Sequence, residues 1–367
     1  MSARRVPVRA ASILAALAAA VLAAGCHQPP AGRDYILTGA KPDKLFVIDA
    51  AARQIKSSFA IPDANGMVAT IVPSPDGRIA YVLVNRMETI EGIDLNDGKL
   101  VFCADLSTPA EQVKDFFALD VTPDGRELIA YEMPTKLEPS EYVVQQPRFA
   151  IFETNAGLNA KPARVFEAPR RVHMILAKQD GKSFYALGFE LFEYDLASGK
   201  LIEQRGIRSW NRPNHGQPDV LAFWPATEPA GVFTTPVYAD ETTAAGTVPK
   251  TALMSLDTKT GALNYDDFEQ TSALIFSSIM DPSRKLAYGV YTQLTQIDTQ
   301  AHAVKKRVNL DHTYYAVTVA SDGSEVYLGG TMCDIAFYDP TTLTKRADLA
   351  LPGCPDQSLA SMRVIRR

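Results

Sequence analysis

Seven short apolar runs along this chain each end in an acidic residue, usually followed by a tight polar turn. They are LFVID (Leu45–Asp49), IEGID (Ile90–Asp94), FAIFE (Phe149–Glu153), LFEYD (Leu191–Asp195), LMSLD (Leu253–Asp257), LTQID (Leu294–Asp298) and IAFYD (Ile335–Asp339). The steps between the acidic residues are 45, 59, 42, 62, 41 and 41. Short strands recurring about every 40–45 residues have the period of a β-propeller blade. The acidic residue itself has a structural role to fill, accepting hydrogen bonds from backbone N–H groups of the turn that follows. Seven equivalent positions around a ring are not seven active sites.

A second phrase interleaves with the first. SPDGR (Ser74–Arg78), TPDGR (Thr122–Arg126), KQDGK (Lys178–Lys182), DPSRK (Asp281–Lys285) and SDGSE (Ser321–Glu325) recur between the copies, with WPATEPAG (Trp224–Gly231) as a degenerate version. Asp-Gly supplies the positive backbone angles of a short hairpin, and apolar runs flank each turn. Each unit therefore reads as four strands. Inner strand a leads into the Asp-Gly turn, strand b follows, strand c ends in the acidic residue, and strand d lies outermost.

The inner strands are expected at Met67–Val72, Phe116–Thr122, Val172–Lys178, Asp219–Trp224, Leu274–Met280, Tyr314–Ala320 and Ser358–Ile365. The last has no b, c or d strand after it, and three strands without an inner partner, DYILTG, KLFVID and IKSSFAI, stand near the N-terminus. Joining them closes a ring with no unpaired inner edge. A solenoid shares the period but not this circular accounting. The expectation is an all-β chain, a seven-bladed β-propeller over residues 33–367, closed by N-terminal strands joining the C-terminal inner strand.

The chain has 367 residues, 46% of them hydrophobic, and a net charge of −5. That length fits one ring, and the mild acidity gives no basis for nucleic-acid binding. Residues 1–25 read as an export signal. Arg4, Arg5 and Arg9 precede an apolar run from Ser12 to Leu22, too short for a mature membrane span. Ala23-Ala24-Gly25 before Cys26 resembles a lipoprotein cleavage box, although Ala23 stands where Leu is usual. The alternatives are a lipidated Cys26 tethering a periplasmic protein to a membrane, or ordinary cleavage nearby.

The periplasm permits disulfides. Cys333 falls between strands b and c of its unit, and Cys354 between strand d and the next inner strand. Those two loop types share one face of a propeller, so the pair can meet; the alternative is that all remain reduced. Cys103 reads as a free thiol at the start of a strand d.

No C-x-x-C-H haem motif, G-x-S-x-G or glycine-rich phosphate loop is present. His27, His173, His215, His302 and His312 show no ligand spacing, so no metal site is expected. The departures from the repeat are three insertions: Met133–Pro147, Ser209–Pro218 and Asp240–Lys250. All fall in b–c or d–a connections, which share one rim. Phe116, Phe117, Trp210, Tyr314 and Tyr315 collect there, with His215 and His312 nearby. Aromatic, loop-built surface suits a large interface. The competing reading is that Phe116, Phe117 and Tyr315 plug the central channel.

At this point the residues resemble a family. RDYILTGAKPDKLFVID, DLSTPAEQVKDFFALDVTPDGRELIAYE, FEAPRRVHMILAKQDGKSFYALG, IRSW…QPDVLAFW and HTYYAVTVASDGSEVYLGG, in that order, are similar to the β subunit of quinohemoprotein amine dehydrogenase. The likeness runs from about Arg33 to the C-terminus and is poorest in the insertions. It implies a periplasmic heterotrimer. A double-haem α subunit carries c-type haem, and a small γ subunit carries cysteine tryptophylquinone. The propeller rim covers the quinone while a primary amine is oxidatively deaminated, and electrons leave to a soluble acceptor. The resemblance implies no cofactor in this chain and no catalytic residue from it. Neither Trp210 nor Trp224 has a cysteine nearby in sequence. Two other readings stay open: a stand-alone exported propeller acting as a binding or adhesion module, and a lactonase-like hydrolase on the same fold.

Overall fold

The computed structural model describes residues 32–221, 224–357 and 362–367. The export signal and Cys26 lie outside them. The chain forms a seven-bladed β-propeller. The inner strands of blades 1 to 7 are Arg363–Arg366, Thr70–Pro73, Leu119–Val121, Met174–Ala177, Asp219–Val220, Ser277–Met280 and Ala316–Val319. Blade 1 closes the ring. Arg363–Arg366 pairs antiparallel with Asp34–Ala40, placing Tyr35 opposite Ile365 and Leu37 opposite Arg363.

Burial explains the sequence pattern. Strands a to c are covered on both faces by neighbouring blades, so they read as continuous apolar runs. Thr70–Pro73 and Ala316–Val319, for example, are buried throughout. The outer strands have one wet face and alternate, as in Gln54–Ala60 and Lys345–Ala350. The core lies between consecutive blades. Phe149 of blade 3 meets Phe184 and Tyr194 of blade 4, each at 5.0 Å between ring centroids, and such aromatic pairs contribute roughly 0.5–1.5 kcal/mol beyond their buried area.

Six of the seven strand-c acids hold the following turn by accepting backbone N–H bonds, as Asp339 does from Thr341 at 2.9 Å and Thr342 at 2.7 Å. Asp339 is held well below the usual carboxylate range by these bonds and by Arg346. The exception among the described residues is Glu153, whose backbone oxygen rather than its carboxylate accepts from Ala156.

Six of the seven inner strands begin two to five residues later than expected, and that of blade 5 begins at Asp219, as expected. Phe116, Phe117, Tyr314 and Tyr315 all precede their strands. Cys103 stands within the strand Leu100–Asp105, not at its start, and burial pushes its thiol up to about 11. Cys333 and Cys354 form a disulfide with their Cα atoms 4.6 Å apart.

Candidate functional site

Two of the three insertions prolong the sheets rather than hanging as loops. Blade 3 has a strand b of eleven residues, Glu127–Leu137, whose far half pairs with Glu111–Lys114 and Tyr142–Val144. Blade 5 has two twelve-residue strands, Val232–Thr243 and Gly246–Asp257, paired along their whole length. The third insertion, Ser209–Pro218, is strapped onto blade 5. Arg212 grips Asp267 through two nitrogens at 3.0 and 2.9 Å, and His215 Nε2 lies 3.0 Å from the same carboxylate. The neighbouring Arg212 and His215 offset burial and hold Asp267 below its ordinary value. Trp210 anchors the strap. Its ring packs on Tyr265 at 5.0 Å and its Nε1 donates to the Gly216 carbonyl at 2.8 Å.

The channel mouth lies on this same b–c/d–a face. Phe117 adopts φ +67, is half-buried and packs against two core clusters, one of blades 2 and 3 and one of blades 5, 6, 7 and 1. Phe116 lies against it at 4.6 Å and is 41% exposed. The turn rests on Asp115, which is fully buried and accepts the Ala118 N–H at 2.8 Å. Burial pushes this carboxyl up to about 8, and its second oxygen is buried without a hydrogen-bond partner. Across the mouth, Tyr315 packs on Phe276 at 4.4 Å and stacks with Tyr291 at 5.9 Å.

Tyr314 is fully buried and donates to Asp334 at 2.6 Å; His312 Nε2 reaches the other oxygen of that carboxylate at 3.0 Å. The structure thus sorts the seven aromatic and histidine positions singled out from sequence. Phe116, Phe117 and Tyr315 line the mouth. Tyr314 and His312 brace blade 7 beneath it. Trp210 and His215 form a separate group on blade 5. Sequence reasoning missed Phe276, which occupies the same repeat position as Tyr315, directly before strand a. Aligning the units on that position would have found it.

The exposed large apolar residues are concentrated on this face. Phe116, Tyr142, Val143, Val144, Phe189, Leu274 and Met332 stand in its connections; Val101, Val165, Leu201 and Ile202 lie on outer strands, and Leu158 in a c–d link. None of them stands in an a–b turn. At the other end the channel is bridged by polar groups. Arg363 of blade 1 donates to the Ile71 carbonyl of blade 2 at 3.3 Å and to Glu228 of blade 5 at 2.7 Å. Among the described residues no three His, Cys, Asp or Glu side chains gather as a metal ion requires.

No family model matches the chain, and no curated protein matches it. Solved structures do. The chain is similar to hydrazine synthase from Kuenenia stuttgartiensis, with 13% identity and a TM-score of 0.51 over 89% of this chain and 90% of that one. It is also similar to dihydro-heme d1 dehydrogenase NirN in complex with DHE, with 12% identity and a TM-score of 0.52 over 89% of this chain and 75% of that one. At such identity the likeness is one of fold, the β-propeller.

Proposed function

We propose that this chain is the non-catalytic propeller subunit of a periplasmic quinohemoprotein amine dehydrogenase, and that its b–c/d–a face covers a small quinone-bearing subunit. The observation that carries the reading is the concentration of exposed apolar side chains and sheet extensions on one face, with none in the a–b turns. A face that gathers exposed apolar and aromatic side chains on its loops is suited to an interface. The ordered resemblance of five segments to the β subunit of that family supplies the identity of the partners. The propeller fold of a chain named a dihydro-heme d1 dehydrogenase supports a redox setting.

The residues present do not fit a resident quinone or attached haem. Trp224 is buried in the core, Trp210 is spent on its strap, and Cys333 and Cys354 are tied to one another. This reading places its cofactors, cysteine tryptophylquinone and c-type haem, on other subunits. The propeller's part is to exclude water and position a primary amine at the subunit junction; a soluble periplasmic acceptor takes the electrons. A lipidated Cys26 would tether the assembly to a membrane.

The test is the spectrum and turnover of the purified single chain. It should show no visible chromophore and reduce no dye with a primary amine. A Soret band or measurable turnover would overturn the reading.

A further inference from the structure

Three backbone segments converge on the b–c/d–a face of blade 4. The first carries Arg171 and follows the blade 3 outer strand Arg164–Glu167. The second is the turn Gly188–Phe189 between Ser183–Leu187 and Glu190–Asp195. The third carries Arg208 and follows Leu201–Gly206. They are locked together. His173 N donates to the Leu187 carbonyl at 2.9 Å, and Arg208 N donates to the Phe189 carbonyl at 2.8 Å. A Cβ at position 188 would stand 2.0 Å from the Arg171 carbonyl oxygen, so only glycine lets that segment settle on the turn. Arg171 holds φ +67, in the left-handed region that non-glycine residues seldom adopt.

The product is a pair of guanidiniums over one phenyl ring. The Arg171 and Arg208 carbons lie 4.5 and 4.7 Å from the Phe189 centroid, and the ring is 39% exposed. Of the neighbouring arginines, Arg170 donates to the Gln145 carbonyl at 3.3 Å, and Arg164, Arg205 and Arg212 each have a carboxylate, at 2.8, 3.4 and 2.9 Å. Among the described residues Arg171 and Arg208 have none within ion-pair distance, and Arg208 Nε is buried with no hydrogen-bond partner. Within this chain the two like charges meet the face of Phe189 but, among the described residues, no carboxylate.

We propose that this arginine–phenylalanine–arginine surface docks an acidic segment of a partner polypeptide. Guanidiniums match carboxylates through paired N–H bonds, and arginine beside an aromatic ring is the composition of interface centres. A small oxyanion would use the guanidiniums and leave the ring idle, whereas a peptide covers all three side chains. The site shares its face with Phe116 and Leu274. It rests on the docking reading for the partner's identity but not for its own chemistry.

The test is anisotropy of a labelled, acetylated hexaglutamate peptide titrated with the purified chain at low ionic strength. The wild type should bind, and Arg126→Gln, in an a–b turn on the opposite face, should bind equally. Arg171→Gln with Arg208→Gln should weaken binding at least tenfold with an unchanged circular dichroism spectrum. Lysine at both positions should restore part of it, since charge returns without the planar fork. Wild-type affinity in the double glutamine variant would overturn the proposal. So would complete displacement of the peptide by inorganic phosphate but not by chloride of equal ionic strength, which would make this a small-anion site. No partner subunit is used, so failure here and failure of the amine dehydrogenase reading are separable.

Discussion

Arg363 Nη2 stands 2.7 Å from Glu228 Oε1, which ties the last strand of the chain to the far side of the ring. The arginine side chain is 5% exposed and the glutamate 43%. The same guanidinium lies close enough to Asp120 of blade 3 to oppose the burial that raises that carboxyl to about 6. One side chain thus serves blades 1, 2, 3 and 5. Glu228→Ala removes the carboxylate that pairs with this buried cation and should cost about 2 kcal/mol, the range for a hydrogen bond to a charged group. A urea midpoint lowered at unchanged slope checks this; an unchanged midpoint refutes it.

The disulfide secures the approach to the same strand. Cys333 and Cys354 are 21 residues apart, and closing a loop of that size contributes about 3 kcal/mol in the chain-entropy model. Replacing both by Ser should lower unfolding stability by roughly that amount, read by denaturant titration of the two proteins side by side.

Stability should fall as pH rises from about 4 to about 8. Burial raises Asp115 to about 8; burial and then the Asp63 charge raise Glu91 to about 7; burial raises Asp120 to about 6. Between its unfolded and folded values each group binds more protons folded than unfolded, so the stabilisation present below pH 4 is lost as pH passes through the folded value. Asp115→Asn keeps an acceptor for the Ala118 N–H and removes the charge to be buried. Its denaturation midpoint should depend less on pH than that of the wild type, above all between pH 6 and 8. Parallel pH profiles for the two proteins would refute the assignment.

The repeat and its closure are legible because each rests on local chemistry. The strand-c acid and the Asp-Gly turn recur in sequence, as does the shift from continuous apolar runs to alternation. The mouth was harder to read. Tyr314 and Tyr315 read as the start of a strand because apolarity that serves packing across a channel looks the same as apolarity that serves a ladder. Glu111–Lys114, a short polar strand, carries no pattern of its own. The strap on Trp210 depends on Asp267, and the Phe189 surface on arginines from two other loops. Such meetings are set by tertiary structure, and no spacing in the sequence announces them.

The most direct measurement of the central claim is what accompanies the chain out of its own cells. Tagged wild type, Phe116→Glu and Lys182→Glu would be isolated and assayed for a Soret band, a quinone-staining small polypeptide and dye reduction with a primary amine. Phe116 lies at the mouth and Lys182 in an a–b turn on the opposite face, and a charge buried in an interface without a partner costs several kcal/mol. Wild type and Lys182→Glu should carry haem, quinone and activity in fixed ratio, while Phe116→Glu, folded by circular dichroism, should carry none of them. Wild type emerging without haem or quinone, or Phe116→Glu retaining both, would contradict it.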